Sequence, residues 1–241
     1  MRPTHPFLAA AIALALFAPT AHAGKDIDKV MGSITAHAGE QYGDLTTVNG
    51  SIRVEAGATA REVTTVNGSV HLEAGANVGN AETVNGSIKA QARANAGALE
   101  TVNGSIRLEE SNKVADIETV NGSVFTGRGS SVTRDIETVN GAIGLVDTDV
   151  GGNISTVNGD ITVGVGSHVR GGITVEKPST NWMPVSIKKR KPRIVIGPNA
   201  VVEGPLVFKR DVNLYVHRTA RIGQVTGATA VRYDGATAPK D

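Results

Sequence analysis

The chain has 241 residues, no cysteine, 3% aromatic residues, and 24 basic against 23 acidic side chains. Without cysteine there are no disulfides, thiolate metal sites or cysteine nucleophiles, and a near-neutral balance gives no electrostatic reason to expect nucleic acid as a partner. With 29 glycines and so few aromatics, the composition suits narrow stacked coils of β-branched residues better than a globular core of large side chains.

Residues 1–23 read as an export signal: Arg2, an apolar run over 7–18, and Ala21-His22-Ala23 ahead of Gly24. The run is shorter than the roughly 20 apolar residues that a membrane-spanning helix needs. No later stretch qualifies either, so the mature chain is expected to begin at Gly24 and to carry no transmembrane span. Export to the periplasm is the first expectation, the cell surface or the exterior the second. Loss of Arg2 leaves basic and acidic residues equal in number.

Residues 24–45 form a degenerate opening. Val30-Met31-Gly32-Ser33-Ile34 stands 18 residues before Val48-Asn49-Gly50-Ser51-Ile52, without its Asn. Terminal repeats of a solenoid are atypical because their outer face meets water, so this stretch is read as an N-terminal cap.

Over 46–177 one phrase, Thr-Val-Asn-Gly-Ser-Ile, recurs. Its corners are Asn49-Gly50, Asn67-Gly68, Asn85-Gly86, Asn103-Gly104, Asn121-Gly122, Asn140-Gly141 and Asn158-Gly159, at steps of 18, 18, 18, 18, 19 and 18 residues. Such a period marks a solenoid, in which each coil buries its apolar face only by stacking on its neighbours. Asn-Gly between strands is also a hairpin signal. A meander, however, would alternate strand direction, whereas identical repeats stack in register only in parallel coils.

Stacked in register, the repeats become columns. Ile52, Val70, Ile88 and Ile106 form one inward column, and Val54, Leu72, Ala90 and Leu108 another two residues on, with Arg53, His71, Lys89 and Arg107 between them facing out. A second strand places Val63, Ala81, Leu99 and Ile117 inward, Glu82, Glu100, Glu118 and Glu137 outward, and Thr65, Thr83, Thr101 and Thr119 inward. Strict alternation would turn the Val66 column outward; a bend that packs it inward beside the corner is the expectation. The Asn-Gly corner is expected to use the positive φ these residues tolerate, with equal Asn side chains hydrogen-bonding along the axis. Three short strands or two longer ones per coil fit the pattern equally well.

Residues 178–233 read as an irregular loop followed by two wider coils, because Ile196 and Val216, Ala200 and Ala220, and Val202 and Ile222 each lie 20 apart. Residues 234–241 read as a flexible tail. The fold class is therefore all-β, a single-domain parallel β-solenoid of about 18 residues per coil.

The repeated Thr-Val-Asn-Gly-Ser-Ile motif behind an export signal resembles the bacterial adhesin family of exported β-solenoid domains of unknown function, over roughly 24–172. The resemblance implies a right-handed parallel β-helix and an adhesin-like binding or scaffolding role in the cell envelope. It carries over no catalytic residue. Residues 194–204 are similar to bactofilin-type polymer-forming repeats, from which the chain departs by its export signal and by having only about two such coils.

Candidate sites are few. The glutamate column is a cation ladder or a solvated face, and the latter is expected because metal sites need convergent ligands of mixed geometry. Arg53 with Glu55, His71 with Glu73, and Arg107 with Glu109 read as ion pairs along one strand. Asp147 and Asp149 are the best carboxylate pair for a carbohydrate-active enzyme, the competing class, but their setting is ordinary turn chemistry. His37, His71, His168 and His217 lack metal-ligand spacing, so no metal and no cofactor is expected. Trp182 followed by Lys188, Lys189, Arg190, Lys191 and Arg193 is the candidate ligand site. It would suit an anionic envelope component such as lipopolysaccharide, peptidoglycan or lipid headgroups, an envelope protein being the other class of partner. The second rival class is a self-assembling structural polymer.

Overall fold

The structure, a computed structural model, describes residues 24–178 and 190–240. Every regular element among them is a β-strand. The first turns run β1 (Lys25–Met31), β2 (Ile34–Ala36), β3 (Gln41–Asn49), β4 (Ile52–Val54), β5 (Thr59–Asn67) and β6 (Val70–Leu72). Long strands pair in parallel with long ones, Val63 opposite Ala81 and Asn67 opposite Asn85. Short strands pair with short ones, Ile52 opposite Val70. The short-strand sheet has 11 strands, one per turn, which at about 4.8 Å per step makes a rod of ~48 Å between first and last turn. The chain is a parallel β-solenoid.

Each turn is three-sided. In β5 the inward residues Ala60, Val63 and Thr65 are buried, but Arg61 and Glu62 are both exposed, so the alternation breaks once and the nine-residue strand bends there. From Ser131 onward the bend becomes a gap, and the long strand divides into pairs such as Ser131–Val132 and Ile136–Asn140. The core is a narrow column of Ile, Leu, Val, Ala and Thr, with Ile52, Ile88, Leu99 and Ile106 fully buried. Truncating one such Ile or Leu to Ala costs about 2–5 kcal/mol.

The buried threonines need partners. Thr65 Oγ1 donates to the carbonyl of Gly50 at 2.8 Å, and Thr83 and Thr101 repeat the bond to Gly68 and Gly86. This fastens each coil to the corner of the coil below. An Asp/Asn column serves the bend in the same way. Asp26 Oδ1 accepts from the Asp44 amide and Asn80 Oδ1 from the Ala98 amide, supplying acceptors where the backbone ladder is interrupted.

Two expectations about the corner need correction. None of the Asn-Gly pairs has a positive φ; apart from Gly32 in the cap and Gly227 in the last turns, the left-handed residues lie at the other corner, in the column Gly39, Gly57, Gly75, Arg93, Ser111, Gly129, Asp147, Gly166 and Asn199. Glycine at the Asn-Gly corner answers to close approach instead: a Cβ on Gly68 would stand 2.0 Å from the Gly50 carbonyl oxygen. The valine column also faces outward. Val48, Val66, Val84, Val102, Val120 and Val139 are partly exposed, and only Val157, at the top, is buried. Alternation from Val63 simply continues through Thr65, so the chain turns after Asn67 and not before it.

Aromatic residues close the ends. Tyr42 is buried near the N-terminal turn, its hydroxyl donating to Glu40 Oε2 at 2.6 Å. Phe208 and Tyr233 are buried in the last turns, and His217 packs edge-on to Tyr233 at 5.1 Å. The two wider coils hold their expected register, Ile196 opposite Val216 and Val202 opposite Ile222.

Candidate functional site: outward ladders and the C-terminal turns

The outward residues repeat because the coils repeat. Asn67 Nδ2 donates to Asn49 Oδ1 at 3.0 Å, and the bond recurs through Asn85, Asn103, Asn121, Asn140 and Asn158. Arg210 tops this ladder, donating to Asn158 Oδ1 at 2.7 Å and to the Val157 carbonyl at 3.0 Å. Nothing in the repeat pattern foretold that contact, since Arg210 lies outside the repeats.

Beside it runs the glutamate column, with Glu82, Glu100, Glu118 and Glu137 directly opposite one another in successive strands. These carboxylates are half-buried. Burial, and then repulsion from Glu100, Glu137 and Asp116, pushes the Glu118 carboxyl up to about 7. Glu82 and Glu100 shift the same way, again chiefly by burial. Among the described residues no group of three or more His, Asp or Glu side chains is placed to hold a metal ion.

On the short-strand sheet the ion pairs run between coils, not along one strand as expected. Arg53 meets Glu73 at 2.8 Å and Lys89 meets Glu109 at 3.0 Å, each partner one coil on. His71 stands between Arg53 and Lys89, and burial followed by those two charges lowers its pKa. Arg107 does not bond Glu109; its guanidinium lies 4.3 Å from the centroid of the Phe125 ring.

Asp147 and Asp149 are both exposed and turn to different neighbours. Asp147 sits at the left-handed corner with φ 46°, while Asp149 approaches His168 Nδ1 at 3.7 Å. The other ring nitrogen of His168 meets Glu203 at 2.7 Å, so the two carboxylates address opposite sides of one imidazole.

Of the basic run, Trp182, Lys188 and Lys189 lie outside the described residues, as does the export signal. The other three members each have an internal partner. Arg190 meets Asp160 at 2.7 Å, Lys191 meets Asp211 at 3.1 Å, and the Arg193 guanidinium covers the Tyr215 ring at 4.6 Å. Arg193 also donates to the Ala238 carbonyl at 3.3 Å, which ties the tail to the wider coils. The two ion pairs are on the surface, where each is worth about 0–1 kcal/mol.

The fold and its ladders define a class, the parallel β-solenoids with in-register outer columns. A scan against protein-family models, a search of curated proteins and a search of solved structures each found no match.

Proposed function

We propose that this chain is a non-enzymatic, exported binding or scaffolding rod of a bacterial cell envelope, adhesin-like in its use of a repetitive surface. One observation carries the reading: outward side chains of one type recur in register, as in the asparagine ladder from Asn49 to Asn158. Such a surface offers the same group at ~4.8 Å steps and suits an extended polymer or a flat layer better than a single small substrate. The signal-like residues 1–23 support export, with the periplasm as the first destination.

The test is co-sedimentation of the chain from Gly24 to Asp241 with peptidoglycan, outer-membrane vesicles and anionic liposomes. A variant neutralised at Lys188, Lys189, Arg190, Lys191 and Arg193 runs beside it. Salt-sensitive binding that is lost in the variant supports an anionic envelope partner held at the C-terminal turns. Failure of the parent to sediment with any of the three overturns the envelope reading.

End-to-end association is a second reading with an observation in its favour. β1 is the terminal strand of its sheet, and beside its unpaired edge Val30 and Met31 are 71% and 78% exposed. Sedimentation velocity of the parent and of Met31→Glu decides it, since a concentration-dependent oligomer abolished by the substitution is the outcome it requires.

A further inference from the structure

The ion-pair lattice of the short-strand sheet stops at one place. Arg53 and Lys89 each find a glutamate 20 residues on. Twenty residues after Arg107 stands Gly127, which has no side chain to offer. Arg107 stacks on Phe125 instead, and the column continues to Gly144, which leaves the far side of the ring without a side chain. Arg128, exposed beside Gly127, makes no side-chain hydrogen bond or ion pair among the described residues. Arg107, Glu109, Glu110, Phe125, Gly127 and Arg128 line an open groove of about 460 Å³.

The corner under this groove is built differently from the corners before it. Its buried position is Ala58, Ala76 and Ala94 in the earlier coils, then Asn112, Ser130 and Thr148. Asn112 Oδ1 accepts from the Ala94 amide at 2.9 Å. Ser130 Oγ accepts from the Asn112 amide at 3.2 Å and donates to the Glu109 carbonyl at 3.1 Å. Thr148 Oγ1 donates to the Val146 carbonyl at 2.9 Å. Polar side chains therefore brace the groove wall from inside. The left-handed corner position, glycine at Gly57, Gly75 and Gly129, carries a side chain at Arg93, Ser111 and Asp147, with φ 61°, 57° and 46°. Residues with side chains adopt that conformation at a cost, and Arg93 and Ser111 directly follow the groove residues Ala92 and Glu110.

We propose that this groove binds an acidic saccharide, a sugar bearing a carboxylate. Arg107 and Arg128 take the carboxylate through their guanidinium forks. Phe125 holds Arg107 in place before the ligand arrives, which reduces the ordering cost of binding. Glu110, whose side chain is exposed and makes no hydrogen bond or ion pair among the described residues, accepts from sugar hydroxyls. The charge balance selects this class. Among the described residues Arg107 and Arg128 have no carboxylate partner and Glu110 no cation, while Glu109 is already held by Lys89. A dense polyanion would meet repulsion from Glu109 and Glu110, and a neutral sugar would leave both guanidinium groups without an anion. The assignment rests on the reading of the chain as an envelope-binding rod.

Titration of the ¹⁵N-labelled chain from Gly24 to Asp241 tests it, following the amides of Glu110, Gly127 and Gly144. The probes are trigalacturonate, N-acetylmuramic acid and N-acetylneuraminic acid, with methyl trigalacturonate and inorganic phosphate as controls. At least one acidic sugar shifts these amides, its affinity falls about tenfold in Arg107→Gln and in Arg128→Gln, and Arg53→Gln binds as the parent does. Unchanged amide patterns elsewhere show that the variants are folded. No shift with any acidic sugar overturns the assignment. So do equal shifts from the methyl ester or from phosphate, and an equal loss in Arg53→Gln. Sedimentation with envelope material without these shifts leaves the rod reading standing and the groove refuted; shifts without sedimentation do the reverse.

Discussion

Arg210 Nη1 donates to Asn158 Oδ1 at 2.7 Å and so occupies the acceptor end of the asparagine ladder. Every bond below it runs the same way, each Nδ2 donating to the Asn of the coil beneath, from Asn158 down to Asn49. The aligned amides polarise one another, and the guanidinium places positive charge at the oxygen end. A residue of the C-terminal turns thus completes a structure that belongs to the repeats.

Breaking the ladder at its middle should be tolerated. Asn103→Ala removes two side-chain hydrogen bonds at an exposed position, where water replaces part of what is lost. The expected destabilisation is about 1–2 kcal/mol, read from the urea midpoint at unchanged slope. A loss no larger than that of an ordinary surface substitution would mean that the ladder contributes no stability.

The adjacent glycine should be far less forgiving. A Cβ on Gly104 would lie 1.8 Å from the Gly86 carbonyl oxygen, which is backbone held in the ladder below. Gly104→Ala should therefore cost about 3 kcal/mol or more, clearly above the cost of Asn103→Ala. Equal effects of the two substitutions in thermal or urea unfolding would contradict the close-approach account.

Stability should fall as the pH rises past mild acidity. The folded Glu118 carboxyl titrates near 7 against 4.5 for the free group, so the folded rod holds a proton that the unfolded chain releases earlier. Its contribution is complete below about pH 4.5 and is lost as the pH rises through 7. Because the group is half-exposed, solvent screening limits the effect to about 1–2 kcal/mol. Glu118→Gln should be more stable than the parent at pH 8 and should flatten the dependence between pH 5 and 8. An increase in parent stability over that interval would reverse the sign and refute this origin.

The cross-coil direction of the ion pairs is open to a double-mutant cycle. Coupling between Arg53 and Glu73 should be about 0.3–1 kcal/mol. Coupling between Arg53 and Glu55, neighbours on the same strand, should be near zero. The reverse ranking would return the pairing to the strand.

The sequence by itself determined the parallel stack. With one phrase recurring at 18 or 19 residues, each side chain lies on its own kind, and the aliphatic columns and the wider C-terminal coils follow from that register. Tertiary structure decided what a single turn of chain cannot express. The outward face of Val66 depends on where the chain bends, at Arg61-Glu62 and again after Asn67. The left-handed position moved to the Gly57 corner because φ is set by the path of the loop and not by which corner carries Asn-Gly. Arg53 reaches Glu73 because outward side chains lean toward the next coil, and Arg107, lacking such a partner, turns to Phe125. The groove at Arg107 and Arg128 was written in the sequence only as interruptions of columns, Phe125 among bases and Gly127 in place of a glutamate. Those interruptions acquire chemistry once residues 20 apart are brought side by side.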